Sequence, residues 1–549
     1  MSGDTVGNPA RMGPLVRTHW PALVAAAVLV GSVVMAERAV VALTSGRFIY
    51  ALDDAYIHMA MARNLAEHGI WGCTPFRFSA ASSSPLWTAV LAIVYRLTGA
   101  RELTPLVLNV VFGVMTIAVA DAVLRRLAAG ALLRVATLVG LVLVVPMAAM
   151  ALLGMEHVLH LLLTIAFGGA ITLALAGAPE HTRAYQRHTA TLSVLAALLA
   201  TSRYEGLFLV ALACLACVAL GHWRRGVVIG GAAALPIVLF GVISVANGSL
   251  FLPNSLMLKA GGEAASMWTV LFRGIGAADV AFLQKDHPLL WLVLGGSAAT
   301  LIELVRGRRW SRAAVLVPLL MTLMVVLHVH FALSSSFWVY RYDAYLLGFG
   351  VFAAAVVLAG VPSVPRRGPG WISRVATAAA VLVITVVIGD PREGLRPENA
   401  IQSAWLTYRE HYQAARFVHD TRFGETVLIN DAGAMAFYSG ANLLDIFGLC
   451  DIEPVKLRRA GTYGAIDVEA WTLPYQPTAA VVQLSWGWVV GRIPADWLKV
   501  AEVEVQPDGQ VLGFFVPTHD PNAADRLRAD VERFYRPLAS ALHYRVRTF

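Results

Sequence analysis

Long apolar runs recur along this chain of 549 residues and constrain its fold more than any other feature. Such runs of about 15 to 24 residues approach the length that crosses a bilayer as a helix. Twelve are present, with approximate limits 19–37, 84–98, 103–124, 131–153, 157–177, 188–202, 206–221, 226–246, 288–305, 313–333, 343–361 and 371–389. Because 58% of the residues are hydrophobic and 14% are charged, we predict a polytopic α-helical membrane protein.

The basic loops between these runs predict the number of crossings. The run 84–98 begins at a serine-rich turn and carries Arg96, so we predict that it lies along the membrane interface or re-enters the membrane instead of spanning it. With this run excluded, about eleven spanning helices remain, and the arginine-rich loops fall on the same side as the basic N-terminal tail. The positive-inside rule assigns that side to the cytoplasm, which places the region after residue 390 on the outer face.

The composition changes after residue 390, where apolar runs shorten to strand length and charged residues return. We predict a transmembrane domain over 1–390, with a first outer loop at 43–102 that contains interfacial helices, and a soluble α/β domain over 391–549. The segments TVLIND, NLLDIF, TAAVVQL and VLGFFVP have the pattern of strands. YREHYQAARFVHDTR and the stretch 521–541 have helical spacing.

Charge and cysteine content exclude several classes of protein. The net charge of +8 comes mainly from short loops between apolar runs, so we expect no nucleic-acid partner. Four cysteines are too few for a disulfide scaffold. Cys214 and Cys217 lie inside an apolar run, where packing is the expected role. Cys73 and Cys450 are both predicted on the outer face, so a disulfide between them is conceivable, although the sequence does not constrain their separation.

Ionisable residues near the membrane gather on the predicted outer face. The first outer loop contains two adjacent carboxylates, Asp53 and Asp54. Charges are expensive in a bilayer and are kept mainly where they have a partner or a task. His58 lies in the same loop, and further polar residues fall in the later outer turns: Glu156, Arg203, Glu205, Lys259, Arg341 and Tyr342.

Each of these residues also has a purely structural interpretation. Asp54 suits the N-cap of a helix that runs from residue 55 to about 68. Arg203 and Glu205 suit an ion pair at a short helical hairpin. Lys259 and Arg341 suit anchors that reach the lipid headgroups. The helix cap uses one carboxylate, however, and this loop has two.

Taken together, the outer-face residues suit transfer chemistry on a lipid phosphate. A carboxylate within hydrogen-bond reach can remove a proton from a hydroxyl nucleophile, and cations stabilise a departing phosphate. A lipid-linked substrate would keep its tail between helices and its headgroup at the outer interface.

The motifs LDDAYIHMAMARNLAEHG, SSSPLWTAVLA, GMEH, SRYEGL, LPNSLMLKA and NDAGAMAFYSGANLLDIFGLCD occur in this order over most of the chain. The chain thereby resembles the polytopic GT-C glycosyltransferases, in particular the branch of mycobacterial terminal arabinofuranosyltransferases and pilin arabinosyltransferases. The resemblance implies inverting transfer of a sugar, arabinofuranose in that branch, from a polyprenyl-phosphate donor to a hydroxyl of a cell-envelope glycan. It also implies a bacterial inner-membrane protein whose C-terminal domain is periplasmic.

The resemblance assigns expected roles to particular residues. The acidic motif of the first outer loop matches Asp53 and Asp54; we favour Asp53 as the base, and the reverse assignment stays open. The outer-turn acid matches Glu156, and the family's R-P-E-G turn appears as Arg203, Tyr204, Glu205 and Gly206, with tyrosine in place of proline. Donor-phosphate candidates are Arg203, Lys259 and Arg341. Supporting candidates are Glu156, Glu205, His58 and Tyr342. In the soluble domain, Asn430 and Asp431 either meet the acceptor or cap the next helix.

Several alternatives stay open at the sequence level. A protein glycosyltransferase of the pilin type would use the same donor, and the sugar and the acceptor rest on resemblance alone. A lipid flippase would place polar residues near the midplane of broken helices and would often show inverted repeats. An anchored binding protein would leave the outer acids unexplained. No metal-binding motif appears, but adjacent Asp53 and Asp54 could hold a divalent ion. The oligomeric state is not indicated.

Overall fold

The computed structural model describes residues 14–175, 182–259, 287–305, 312–331, 341–360, 397–518 and 522–549. The helices of the first part are α1 Pro14–Leu43, α2 Asp54–His68, α3 Pro85–Thr98, α4 Thr104–Arg126, α5 Ala131–Val144, α6 Met147–Leu152, α7 His157–Leu175, α8 Arg183–Ser202, α9 Gly206–Ala219, α10 Trp223–Ala246, α11 Asn254–Lys259, α12 His287–Val305, α13 Arg312–Phe331 and α14 Ala344–Gly360. These helices confirm the prediction of a polytopic helical membrane domain.

Four helices of the described residues are long and apolar enough to cross a bilayer alone, namely Thr18–Leu43 within α1, α4, His157–Ala174 within α7, and α10. Shorter apolar helices of 10–17 residues accompany them, including α3, α5 and α9. The run 371–389 lies outside the described residues, so eleven spanning helices stays a prediction. The predicted boundary at 390–391 lies outside them too.

Two apolar runs fold differently from a single spanning helix. The run 131–153 is divided into α5 and α6 at Pro146, whose ring prevents a continuous helical hydrogen-bond ladder. Helix α3 has 14 residues, which gives a length of about 21 Å against about 30 Å of bilayer hydrocarbon. It begins where the Ser84 side chain accepts a hydrogen bond from the Trp87 amide at 3.3 Å. Helices α5 and α9 are equally short, so length alone does not separate α3 from the predicted spanning runs, and its position at the interface stays a prediction.

The C-terminal part forms a sheet domain. Its helices are α15 Pro397–Thr407, α16 Gln413–Arg422, α17 Gly433–Tyr438, α18 Glu453–Ala460, α19 Ala465–Thr472, α20 Ala523–Tyr535 and α21 Ala539–Leu542, and a π-helical turn, Tyr408–Tyr412, joins the first two. Its strands are β1 Thr426–Ile429, β2 Asn442–Asp445, β3 Ala479–Gln483, β4 Trp497–Val505, β5 Gln510–Pro517 and β6 Tyr544–Thr548.

The six strands form one sheet in the order β2-β1-β3-β5-β4-β6. Strand β1 is parallel to β2 and β3, and the remaining pairs are antiparallel. The four predicted strands are confirmed as β1, β2, β3 and β5. Strands β4 and β6 were not predicted, although WLKVAEVEV in β4 alternates apolar and polar residues. The carboxyl ends of the parallel strands β1 and β2 lead into the segments that meet the membrane domain.

The first outer loop is joined covalently to the sheet domain. Cys73 and Cys450 form a disulfide with a Cα–Cα distance of 5.8 Å across 377 residues of sequence. Beside it, Arg77 Nε donates to Asp451 Oδ1 at 2.7 Å, and Arg77 Nη1 donates to Asn442 Oδ1 at 2.9 Å. We call these five residues the loop clamp. It holds the first outer loop against the end of β2.

Asp445, at the end of β2, supports the loop that carries Cys450. Its carboxylate is fully buried and accepts hydrogen bonds from the amides of Phe447 and Cys450, both at 2.8 Å. Burial raises the pKa of Asp445 to about 7, against the opposing effect of the amide donors. The carboxyl group therefore titrates near neutral pH in the folded protein.

Removal of the disulfide is expected to destabilise the contact between the first outer loop and the sheet domain. The double variant Cys73→Ser with Cys450→Ser should lose about 2–4 kcal/mol of stability, because the crosslink restricts the unfolded chain. Thermal unfolding of the purified protein measures this loss. Cys214→Ser is the matched control, since Cys214 is a free cysteine; an equal loss in both would contradict the clamp.

The raised pKa of Asp445 predicts a pH-dependent stability. The folded protein holds this proton between about pH 4 and 7, whereas the unfolded chain has released it. The stabilisation is therefore complete below pH 4 and is lost as the pH rises through 7. Since asparagine does not titrate, the Tm of Asp445→Asn relative to wild type should rise from pH 5 to pH 8. Asp420→Asn, at a carboxylate that is 42% exposed, should show an offset that does not vary with pH.

Candidate functional site

The two adjacent aspartates of the first outer loop face different partners. Asp53 precedes α2, and its Oδ2 and Oδ1 accept hydrogen bonds from the amides of Gly433 at 2.6 Å and Ala434 at 2.7 Å. Asp54 is the first residue of α2, and its Oδ2 accepts from Arg341 Nη1 at 2.9 Å. Asp53 therefore contacts the sheet domain and Asp54 contacts the membrane domain.

The predicted capping role of Asp54 differs from the structure. Asp53 occupies the N-cap position of α2, and its side chain makes no capping hydrogen bond. Asp54 lies one residue later, in the first turn, where its charge still suits the positive end of the helix dipole. Both carboxylates thus bind partners that are distant in the sequence.

The NDAG motif of the sheet domain requires glycine at its last position, Gly433. A Cβ atom at this position would lie 2.0 Å from the Asp53 carbonyl oxygen and 2.3 Å from its Oδ2. Only glycine lets the chain approach Asp53 closely enough for the two amide hydrogen bonds. The motif therefore anchors the first outer loop.

The outer turns of the membrane domain form an arginine cluster, which we define as Arg203, Arg341, Tyr342, Glu156 and Glu205. Arg203 donates through Nη1 to Glu156 Oε1 at 2.6 Å and through Nη2 to Glu205 Oε1 at 2.7 Å. The guanidinium groups of Arg203 and Arg341 lie 4.9 and 4.8 Å from the ring centroid of Tyr342. Arg341 Nη2 also donates to the Tyr342 hydroxyl at 3.1 Å.

The members of the arginine cluster differ in accessibility. The Arg203 side chain is 5% exposed, whereas that of Arg341 is 13% exposed and its partner Asp54 is 42% exposed. Burial acts to raise the pKa of Glu205, but Arg203 outweighs it and lowers that pKa to about 2. Within the described part of the chain, the Nε atoms of both arginines are buried without a hydrogen-bond partner. The cluster therefore has N–H donors left for an anion. Arg341 is the more accessible of its two arginines.

His58 connects the arginine cluster to α3. Its Nε2 lies 3.7 Å from Glu156 Oε2, and its Nδ1 lies 3.0 Å from Thr88 Oγ1. Burial lowers the pKa of His58, so the imidazole is neutral at pH 7. The SPLWT segment therefore positions His58, and His58 in turn contacts Glu156.

Asp53 also belongs to a second group, with His411 and Asp431 of the sheet domain. His411 Nδ1 lies 3.0 Å from Asp431 Oδ2 and 3.7 Å from Asp53 Oδ1. One potential ligand atom from each residue lies within 4.8 Å of the others, so the group could hold a metal ion. Asp54 is not part of this group, so a divalent ion held by Asp53 and Asp54 stays a prediction.

The charges of the three groups shift one another's pKa values. Burial and the neighbouring charge of Asp431 raise the pKa of Asp53 well above its usual range. Burial also acts to raise the pKa of Asp431, but the charge and hydrogen bond of His411 lower it further and hold it below its ordinary value. Burial acts to lower the pKa of His411, but the carboxylates outweigh it and raise that pKa to about 10.

The remaining predicted residues have other surroundings. Asn430 is buried, and its side chain pairs with the backbone of Gln483, donating to the carbonyl at 3.1 Å and accepting from the amide at 2.7 Å. It does not cap a helix, and its contact with an acceptor stays a prediction. Asp431 does not cap a helix either, since the N-cap residue of α17 is Ala432. Lys259 ends α11, and its side chain lies outside the described residues.

Sequence reasoning missed His411 and Gly433. His411 falls in the segment YREHYQAARFVHDTR, whose spacing indicated only a helix, and no neighbouring motif singled it out. Gly433 was part of a quoted motif, but its role depends on Asp53, which lies 380 residues earlier in the chain.

Comparison with known proteins identifies the fold. A domain family of unknown function, DUF8728, matches residues 399–523. No curated protein sequence matches the chain. Among solved structures, ArnT from Cupriavidus metallidurans, bound to undecaprenyl phosphate, has a TM-score of 0.52 at 17% identity over 88% of this chain and 97% of ArnT.

Two further structures are similar at lower scores. The archaeal oligosaccharyltransferase AglB from Archaeoglobus fulgidus has a TM-score of 0.47 at 11% identity over 90% of this chain and 74% of AglB. Arabinofuranosyltransferase AftD from Mycobacteria has a TM-score of 0.42 at 16% identity over 91% of this chain and 41% of AftD. The likeness to ArnT confirms the predicted GT-C fold of this membrane protein.

Replacement of Gly433 tests the anchor of the first outer loop. Gly433→Ala should lower the Tm by the equivalent of about 1–3 kcal/mol, because the added methyl group overlaps Asp53. Gly487→Ala is the control, since a Cβ there meets no atom within 4 Å. A Tm for Gly433→Ala equal to that of the control would contradict the proposed close approach.

Proposed function

We propose that the protein is an inverting glycosyltransferase that moves a sugar from a polyprenyl-phosphate donor to an acceptor hydroxyl. The observation that carries this proposal is the contact between Asp54, a partly exposed carboxylate, and Arg341, at the accessible end of a buried arginine cluster. This juxtaposition supplies a base and a phosphate-binding cation at one position. ArnT, which shares the fold, was solved with undecaprenyl phosphate bound.

The charges of the cluster indicate how a donor would bind. Arg203 is held by Glu156 and Glu205 in a buried arrangement, so it orients Tyr342 and supports Arg341. The ion pair of Arg341 with Asp54 is partly exposed, and such pairs are weak. A lipid phosphate therefore competes with Asp54 for Arg341. Its binding would release the Asp54 carboxylate beside the anomeric carbon of the donor.

The reaction is a single displacement. The acceptor hydroxyl gives its proton to the carboxylate, and its oxygen forms a bond to the anomeric carbon. The bond between that carbon and the phosphate oxygen breaks at the same time, and both bonding electrons leave with the lipid phosphate. Arg341 stabilises the negative charge on the leaving group. Attack opposite the leaving group inverts the anomeric configuration.

The surroundings of the two aspartates favour Asp54 as the base, in place of Asp53. Both oxygens of Asp53 accept backbone amides of the sheet domain, and its side chain is 11% exposed. Asp54 is more exposed and faces Arg341. We therefore assign general-base catalysis to Asp54 and an anchoring role to Asp53.

A cavity beside α2 is a candidate acceptor site. It has a volume of about 640 Å³ and is lined in part by Arg63, Glu67, His68, Glu102 and Phe437. Charged side chains beside an aromatic ring suit the hydroxyls and apolar faces of a saccharide. Arg63 lies about 14 Å along α2 from Asp54, so a glycan of several sugars would reach from the cavity to the base.

The biological setting follows from the resemblance to the arabinosyltransferase branch. We propose transfer of arabinofuranose to a cell-envelope glycan on the periplasmic face of the bacterial inner membrane, with the N-terminus in the cytoplasm. A pilin-type protein acceptor is the alternative with the same donor.

Transfer assays with aspartate variants test this assignment. Purified protein in lipid would be given a panel of polyprenyl-phosphate sugars and candidate glycan or peptide acceptors. Asp54→Asn should lower kcat by about 10²-fold or more, because the base is removed. Asp53→Asn should lower the Tm and affect kcat less.

One control variant and two contrary results complete the transfer assay. Asp420→Asn, at an exposed carboxylate of the sheet domain, should retain full activity. Loss of transfer in Asp53→Asn with retention in Asp54→Asn would return the base to Asp53. Movement of the lipid-linked sugar across the membrane without covalent transfer would replace the transferase by a flippase.

A further inference from the structure

Three potential metal ligands from two domains meet at one position. Asp53 comes from the first outer loop, and His411 and Asp431 come from the sheet domain. Both carboxylates approach the same imidazole atom, Nδ1, at 3.7 and 3.0 Å. Two carboxylates and an imidazole nitrogen that converge in this way can hold either a proton on the imidazole or, in its place, a metal cation.

Glu410 orients the imidazole from its other side. Its Oε2 lies 3.7 Å from His411 Nε2, so its negative charge favours the proton on that nitrogen. In the neutral imidazole that a metal ion would bind, the Nδ1 lone pair faces the two aspartates. An outer carboxylate that fixes the tautomer of a histidine ligand is a recurring feature of metal sites.

A small cavity at this position has room for an ion. Its volume is about 20 Å³, and Asp53, His411, Asp431 and Glu410 line it. This volume accepts one water-sized species. None of the described residues that line it is a lysine or an arginine, so His411 is the only described lining residue whose charge can offset the carboxylates, and a bound cation would displace its proton.

Gln483 supplies an independent observation. Its side chain is 4% exposed and lines the same cavity, and its Oε1 is buried without a hydrogen-bond partner in the described structure. A buried amide oxygen without a partner is costly. Coordination of a cation would satisfy it and would add a fourth protein ligand.

We propose that Asp53, His411, Asp431 and Gln483 form a binding site for a divalent cation that bridges the first outer loop and the sheet domain. One imidazole with two carboxylates and an amide oxygen suits Mn²⁺ or Zn²⁺ better than Mg²⁺ or Ca²⁺, which prefer all-oxygen sites. The ion would replace the His411 proton and hold Asp53 toward the sheet domain. This site does not depend on the transfer reaction, and its test measures binding alone.

Metal binding to the full-length protein tests the site. Protein purified in lipid nanodiscs and freed of metal with EDTA would be titrated separately with Mn²⁺, Zn²⁺, Mg²⁺ and Ca²⁺, with bound metal and Tm measured. We expect one Mn²⁺ or Zn²⁺ per chain, a higher Tm on binding, and weaker binding of the other two ions. Wild-type protein that binds none of the four would overturn the proposal and leave protons as the only bridge.

Variants separate this site from adventitious binding. His411→Ala and Asp431→Asn should each weaken binding by tenfold or more, whereas His419→Ala, in the same sheet domain, should bind as wild type. Gln483→Glu keeps the side-chain length and adds a charged ligand, so it should tighten binding. The oxidised Cys73–Cys450 disulfide reports that each variant is folded. Unchanged affinity in folded His411→Ala and Asp431→Asn would overturn the assignment.

Discussion

The arrangement of the outer face depends on the divergence of two adjacent carboxylates. Successive residues of an α-helix are rotated by about 100°, so side chains at the start of α2 leave in different directions. Asp53 reaches the backbone of α17, and Asp54 reaches Arg341. One dipeptide therefore fixes the sheet domain and the membrane domain relative to the same helix end. A shift of α2 by one residue would break both contacts.

The buried charges of the membrane domain are retained through pairing. Arg203 is compensated by two glutamates, and Glu156 itself is fully buried. Such a group gains little net stability, because desolvation offsets much of the attraction, but removal of one partner is costly. The pair of Arg341 and Asp54 lies beside this group and is partly exposed, so it is more accessible to a competing anion than the buried contacts of Arg203.

The sequence predicted local features better than their pairing. Apolar runs identified the membrane helices, and alternation identified four strands, because both patterns are local. The sequence grouped Asp53, Asp54, Arg203 and Arg341 on one predicted face, and the structure places Asp54 and Arg341 in contact. The individual pairs were not predicted, since Asp54 and Arg341 are 287 residues apart, and Asp53 and Gly433 are 380 apart. The break at Pro146 is visible in the sequence because proline interrupts helices. No sequence pattern marks His411, whose role depends on residues that only the fold brings near it.

The disulfide of the loop clamp orders the biogenesis of the protein. Cys73 emerges from the ribosome 377 residues before its partner, which takes roughly 20 to 75 s at ordinary rates of synthesis. Throughout this interval most of the membrane helices insert while the first outer loop carries an unpaired thiol. Crosslinking must therefore follow the synthesis of the sheet domain, and earlier oxidation of Cys73 with another thiol would prevent formation of the native disulfide.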